Sequence, residues 1–545
     1  MSASPPTSSE PTGAPPAVEP PLPAALVEAL GAIVGSRWVR HRRAELKTYA
    51  MDGLPTRESY PGLVVMPGSA EEVRRIVHLL HLADVPFVAR GAGTGLSGGA
   101  VGDPGTVLIT LTRMNRILRV DRAQRRALVQ PGVVNARLSE AVAPLGLYYV
   151  PDPSSQSACT VGGNVAENAG GPHCLKYGVT TNHIVQLDVV LPDGSTVTLG
   201  SPHGEPWGPD LVGLFVGSEG MFGIATAITV RLEPMPPSVR TMLADFPTVR
   251  AASEAVSAVI ATGIVPAAME MMDQACVAAV EASIYAAGYP TDAAAVLLVE
   301  LDGQPGAVAA EAAQVEELLR GRGARSVRSA STAADRARLW QGRKKAFGAM
   351  GRIAPDLAVQ DAVVPRSVLP DIMDRIAAIR DRYRLSISNV FHAGDGNLHP
   401  NISFDRRDPE LVERVHLACR EIMAACVEAG GSITGEHGVG SDKLDYMPWI
   451  FDPVTLGAMR AVRRVFDPAE RANPGKVLPI HACREWQAAP AARAGRRPEP
   501  GGAGRGAAAG SAPARSAAPG SAAPGLAAPG SGPPAAGSPV VGPSR

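Results

Sequence analysis

Apolar and polar positions change their spacing along the chain. Leu63 to Met66 is a short unbroken apolar run. Ser69 then stands where a helix N-cap belongs, Glu71 and Glu72 fall in the first turn, and Val73, Ile76, Val77 and Leu80 recur at steps of three and four. That spacing predicts an amphipathic helix. Pro86 to Ala89 is the next strand, which makes one β-α-β unit. Val107 to Leu111, Ala127 to Gln130, Leu187 to Leu191, Thr196 to Leu199 and Ile224 to Leu232 read as further strands, and Asn135 to Ala143 as a helix. After Pro234 to Pro237 the texture shifts to long Ala-rich helices between strands such as Ala295 to Leu301 and Ser386 to Phe391. The pattern predicts two α+β domains, 24–235 and 236–480.

Composition sets the ends apart. Residues 1–23 are rich in Pro, Ser and Ala, and 481–545 run in Ala-Pro-Gly-Ser repeats; neither stretch can bury enough apolar surface to offset its ordering entropy. Both are expected to be disordered tails. Lys plus Arg and Asp plus Glu number 52 each, for a formal net charge of zero. With no broad positive field, a nucleic-acid partner is excluded. No apolar run approaches the roughly 18 to 20 residues of a membrane helix. The six cysteines are scattered without a C-x-x-C pair, and no signal peptide is recognisable. Free thiols and a cytoplasmic location are expected.

Glycine clusters carry the first chemical signal. Gly93, Gly95 and Gly98 formally spell G-x-G-x-x-G behind a strand. A dinucleotide loop must launch a helix, whereas Gly99 to Gly105 continues as turn-rich chain, so a Rossmann unit is rejected. What remains is a bare backbone able to form an anion-binding nest; the plain alternative is a flexible surface loop. Two more clusters, Pro151-Asp152-Pro153-Ser154-Ser155 through Gly171 and Gly217 to Ile224, argue against that alternative. The segment from Cys159 to Gly171 is expected to lie flat against a large planar ligand.

The second signal is His392-Ala393-Gly394-Asp395-Gly396-Asn397-Leu398-His399-Pro400-Asn401. If Asp395-Gly396 is a two-residue turn, His392 stands opposite His399, with Cβ atoms roughly 4.5 to 5.5 Å apart. Two imidazoles at that separation are close enough to share a divalent metal, and Asn401 points to the same face. Glu436, after the apolar strand Ser432 to Thr434, offers a third ligand; two His and one Glu leave open positions, as catalytic zinc requires. The plain alternatives are hydrogen-bonded sheet histidines and an ordinary ion pair.

Arg90-Gly91-Ala92-Gly93-Thr94-Gly95, Pro151 to Ser155, Gly162-Gly163-Asn164 and Gly217-Ser218-Glu219-Gly220 together resemble the FAD-binding domain of the vanillyl-alcohol oxidase/PCMH flavoprotein superfamily. Over roughly residues 45 to 480 the chain resembles FAD-linked 2-hydroxy-acid dehydrogenases of the glycolate oxidase D-subunit and D-lactate dehydrogenase kind. The resemblance implies a PCMH-type FAD-binding domain of two α+β subdomains, then an α+β cap domain with an antiparallel sheet, whose last segment returns to the first domain. It implies FAD held by Arg90, Gly91, Ala92, Gly93, Thr94, Gly95, Pro151, Asp152, Ser155, Gly162, Gly163, Asn164, Asn168, Glu219, Gly223, Ile224 and Asn473. Some relatives attach the flavin through a histidine in the first loop; none lies between Arg90 and Gly105, so FAD is expected to be non-covalent.

By the same resemblance His392, His399 and Glu436 are metal ligands, with zinc the expected ion. His437 is then the catalytic base, Asn401 a flavin-side contact, and Arg343 the clamp on the substrate carboxylate. For Arg343 the plain alternative is a solvated helix face. Relatives acting on dicarboxylic substrates carry a lysine shortly before the aspartate matching Asp361; here Ala358, Val359 and Gln360 precede it. The expected substrate is therefore a small D-2-hydroxy acid, glycolate or D-lactate, ahead of D-2-hydroxyglutarate. The electron acceptor is external, with a flavin-domain homologue and iron–sulfur subunits as implied partners and peripheral attachment to the inner membrane face through them. The rival classes are a metal-dependent hydrolase and a non-catalytic flavin-binding subunit.

Overall fold

The computed structural model describes residues 22–202 and 208–479. The expected tails fall outside these residues, as does Cys483, except that Leu22 packs on the first core and Pro23 precedes the helix Ala24–Val34.

The β-α-β unit forms as its pattern requires. Helix Ala70–Leu82 starts at Ser69, whose hydroxyl accepts the Glu72 N–H, and buries Val73, Ile76, Val77 and Leu80. It connects strands Leu63–Val65 and Phe87–Arg90, which lie parallel on either side of Val107–Thr110. Val39–Arg40 completes this four-stranded sheet. A second, five-stranded antiparallel sheet runs in the order Ile117–Asp121, Arg126–Val129, Ile224–Arg231, Ile184–Val190, Thr196–Gly200. Val190 and Ile224 of this sheet contribute to the first sheet's core, which joins the two subdomains.

A nine-stranded sheet fills the second lobe. Ser238–Phe246 pairs along its whole length with Ala295–Gly303, whose residues 295 to 302 are all buried, as expected of a strand covered on both faces. Helices Val249–Ala261, Pro305–Gly321, Leu369–Tyr383 and Pro409–Glu428 pack over one shared core. The chain then returns to the first lobe: Phe87 donates to Arg471 O (2.9 Å) and Asn473 N donates to Phe87 O (2.8 Å).

Two sequence expectations are corrected. Val161–Glu167 is a helix, N-capped by Thr160, because Val161 and Val165 are buried in the second core with the capped turn set against Pro131. Ser432 to Thr434 is no strand: a single bridge, Ser432 to Val363, is all that the region contributes.

Candidate active site

His392 ends the strand Ser386–His392, where it lies directly across from Glu270 of Ala268–Asp273. Glu270 Oε1 is 2.8 Å from His392 Nδ1, which leaves Nε2 turned toward Glu436 Oε1 at 3.0 Å. His399 Nδ1 donates to Gln360 O (3.1 Å), and its Nε2 is 3.2 Å from the same Glu436 oxygen. The register differs from the two-residue turn. His392 pairs with Asn397, so residues 393 to 396 form a four-residue loop, and the same register continues to Asn389 opposite Pro400. The imidazoles still meet, edge to face, with ring centroids 5.3 Å apart.

Glu436 and His437 belong to a segment held by Asp361. This fully buried carboxylate accepts the N–H groups of Gly435 (3.0 Å), Glu436 (3.2 Å) and His437 (3.0 Å), the Thr434 hydroxyl (2.7 Å) and Lys443 Nζ (3.1 Å). Burial alone would raise its pKa; Lys443, with the imidazoles of His437 and His399, holds it far below the usual carboxylate range. His437 stacks on His399 at 4.8 Å and 9°, with its Nδ1 buried and unpartnered. Burial pushes His437 down to about 4, so its imidazole is neutral at pH 7.

Among the described residues, two ligand sets are close-packed enough for a cation: His392, His399 and Glu436, or Asp361, His399 and His437. The first set fits. Its two Nε2 atoms converge on one carboxylate oxygen, and each histidine has its other nitrogen fixed by Glu270 or by Gln360 O. In the second set Asp361 Oδ2 is already taken by Thr434, Gly435, His437 and Lys443, and His399 Nδ1 is spent on Gln360 O.

This cage forms one end of a cavity of about 550 Å³ whose other walls are the glycine clusters. Gly91, Ala92, Gly93, Thr94 and Gly95 line it, together with Ser155, Thr160, Gly163, Asn164, Glu167 and Glu219. Among the buried polar atoms here, Asn164 Nδ2 and Glu167 Oε2 have no hydrogen-bond partner. Bare peptide beside orphaned polar atoms fits a large, partly anionic ligand such as FAD.

The remaining predicted contacts stand behind this wall. Arg90 braces the loop from beneath, donating to Ala100 O (2.9 Å) and Met51 O (2.8 Å). Pro151 O accepts from Asn135 (2.9 Å), and Asn168 Oδ1 accepts from Thr181 N (2.9 Å). Gly162, Gly223 and Ile224 line a small adjacent pocket, and Asn473 ties Gly99 O (3.0 Å) to Glu219 O (2.6 Å). Asp152 pairs with Lys344 (2.9 Å) and His173 (3.0 Å). Asn401 is fully buried in the sheet, where its amide donates to Ser388 O (3.3 Å) and His399 O (2.5 Å).

Arg343 is 1% exposed, so it is no part of a solvated helix face. Glu270 Oε2 holds its Nη2 at 2.5 Å, while Nε and Nη1 are buried without partners beside the cavity. Glu270 thus orients both Arg343 and His392. A lone acid inside the apolar run Ala267 to Met272 was the sequence signal for it.

Residues 61–200 match the FAD binding domain, and residues 235–477 match FAD linked oxidases, C-terminal domain. The glycolate oxidase subunit GlcD of Escherichia coli is 47% identical over 83% of this chain and 90% of its own length. The chain belongs to the FAD-linked oxidases. Other members similar to it are GlcD of Bacillus subtilis, 40% identical over 79% of this chain and 92% of its own, and a D-lactate dehydrogenase of Anaerostipes hadrus, 34% identical over 76% and 89%. p-Cresol methylhydroxylase shares the fold at 18% identity, with a TM-score of 0.71 over 83% of this chain and 96% of that one. The FAD-linked oxidase fold therefore places the glycine-lined lobe and the histidine cage in one compact body.

Proposed function

We propose that this FAD-linked oxidase converts a small D-2-hydroxy acid, glycolate or D-lactate, to the 2-oxo acid. FAD-linked hydroxy-acid oxidation is supported by relatives named glycolate oxidase and D-lactate dehydrogenase. The observation that carries the reading is convergence: Arg343, His437 and the His392–His399–Glu436 cage all face the cavity that the glycine loops line.

The free Nε and Nη1 of Arg343 suit two oxygens of a carboxylate. Its Nη2 is held by Glu270, which fixes the guanidinium plane and so the substrate's orientation. Neutral His437 takes the substrate hydroxyl proton at its unpartnered Nδ1. His392, His399 and Glu436 would hold a divalent cation, zinc by donor type, which lowers the pKa of a nearby hydroxyl. FAD, when bound, supplies the hydride acceptor. Lys344 is the other cation of the lining, but Asp152 engages it. With Ala358, Val359 and Gln360 before Asp361, where dicarboxylate-specific relatives carry a lysine shortly before the aspartate, a monocarboxylate fits better. Electrons leave to an external acceptor, through flavin-domain and iron–sulfur partner subunits; no described helix is long and apolar enough to cross a membrane.

Anaerobic addition of glycolate or D-lactate should bleach the flavin absorbance of the loaded protein, whereas L-lactate and D-2-hydroxyglutarate should act at least about tenfold more slowly. The reading fails if no 2-hydroxy acid reduces the flavin.

A further inference from the structure

Two acids share one corner of the cavity, and their surroundings differ. Glu167 closes the helix Val161–Glu167, and Glu219 sits in the Gly217–Gly220 turn at φ 50°. Both crowd the same two glycines. A Cβ on Gly438 would fall 2.4 Å from Glu167 Oε2 and 2.7 Å from Glu219 Oε1; one on Gly99 would fall 3.1 Å from Glu167 Oε1 and 3.4 Å from Glu219 Oε2. Glu219 is well served, because its oxygens accept Val439 N (2.7 Å) and Gly440 N (2.8 Å). Glu167 Oε2, buried to the same degree at the atom, has no partner.

Two carboxyl groups packed this closely away from water do not both ionise. Burial raises the Glu219 pKa as well, but its two N–H donors, with Lys443 and Lys476, partly offset that, so Glu219 is the first of the pair to ionise. The other keeps a proton, and a protonated carboxyl carries an O–H that needs an acceptor. We propose that Glu167 enters the cofactor cavity as a neutral acid that donates a hydrogen bond to an acceptor atom of bound FAD, with Glu219 beside it the first of the two to give up its proton. The inference rests on the FAD reading above. The charged groups facing Glu167 agree with it. Burial acts first, Glu219 and Asp52 add negative charge, and all three raise its pKa well above the usual carboxylate range. Lys443 alone opposes them, and its ammonium is committed to Asp361 Oδ2 at 3.1 Å.

The sign follows directly. Raising the pH removes the proton, which deletes the donor and places a second negative charge against an anionic ligand. FAD binding to full-length protein freed of flavin, followed by quenching of flavin fluorescence, should therefore weaken about tenfold between about pH 6 and about pH 9. Glu167→Gln keeps a donor of the same shape that does not titrate, so its affinity should match the wild-type value at the low-pH end and stay flat within about threefold. Glu219→Gln removes the neighbouring charge and should move the wild-type midpoint down by about one pH unit or more. A wild-type profile that is itself flat, or a Glu167→Gln profile that keeps the wild-type slope, overturns the inference while leaving the FAD reading intact. Failure to bind FAD at any pH overturns both.

Discussion

The neighbours of His437 give it what the proposed role of base requires. Burial keeps it neutral, its ring is fixed against His399, and its backbone is held by Asp361. Glu436, one residue earlier, is drawn into the cage by His392 and His399 instead. His437→Ala should leave FAD bound and slow substrate-driven flavin reduction at least about 10²-fold in stopped-flow, as loss of a general base does; a retained rate would reject the assignment. Asp361→Asn acts one step further out, because an amide cannot accept at both positions the five surrounding donors require. Zinc affinity measured by calorimetry should fall about 10- to 100-fold, the usual cost of losing a partner that orients ligands. An affinity unchanged by the substitution would show that the segment holds its shape without the anion. The four cage and base residues could be named from sequence because they lie in two short motifs. Glu270 and Asp361 could not be assigned their roles, since a buried acid gains meaning only from what the fold sets across from it.

At the scale of elements, the hairpin and the glycine segments show what local sequence specifies and where it stops. Strand positions followed from apolar runs, and most of the first lobe's elements lie within a few residues of their pattern. The hairpin register did not follow, because Asp-Gly is compatible with both a two-residue turn and the four-residue loop that forms. The competing term is tertiary. Val364 N donates to Gly396 O (3.0 Å), which pulls the loop onto the neighbouring strand, and because His399 lies two residues from Asn397, the partner of His392, both imidazoles fall on one face and reach Glu436. Val161–Glu167 was hidden in a glycine-rich run that by propensity disfavours helix, and its Thr160 cap and buried valines decide it. Gly396 tests the loop. It lies at φ +80°, and a Cβ there would approach Val364 O to 2.2 Å. Gly396→Ala should cost about 2 kcal/mol or more, from left-handed strain plus the collision, read as a lowered denaturation midpoint. A change under about 0.5 kcal/mol would mean that the loop is free to rearrange.

The two lobes are joined by a buried ionic seam, and the molecule's response to pH should be set there. His173 of the first lobe has Asp152 Oδ2 3.0 Å from Nδ1 and Glu300 Oε1 3.3 Å from Nε2, and it stacks on Trp340 at 5.6 Å. Glu300 also accepts from Arg336 (2.6 and 2.8 Å), Trp340 Nε1 (2.6 Å) and the Thr241 hydroxyl (2.5 Å). Asp152 receives Lys344, next to Arg343, so the seam also steadies the helix Ala333–Lys344 that carries Arg343. The stretches before and after the boundary expected near residue 235 thus lie in one compact unit. Burial on its own would lower the His173 pKa, but its two flanking carboxylates outweigh that and raise it to about 10. For Glu300 burial alone would raise the pKa; His173 and Arg336 outweigh it and lower it to about 2. A histidine with a raised pKa in the folded state stabilises fully below its unfolded value of about 6.5, and that stability is lost as pH climbs toward about 10. A carboxylate with a lowered pKa stabilises fully above its unfolded value of about 4.3, and that stability is lost as pH falls toward about 2. Both contributions are complete only between about pH 4.3 and about pH 6.5, so the thermal midpoint should peak in that window and decline on each side. His173→Gln removes the alkaline limb and, because His173 also helps hold Glu300 ionised, weakens the acid one. Its midpoint should lie well below wild type at about pH 6 and converge on it near pH 10. Parallel curves across that range would place the stabilising proton on some other group.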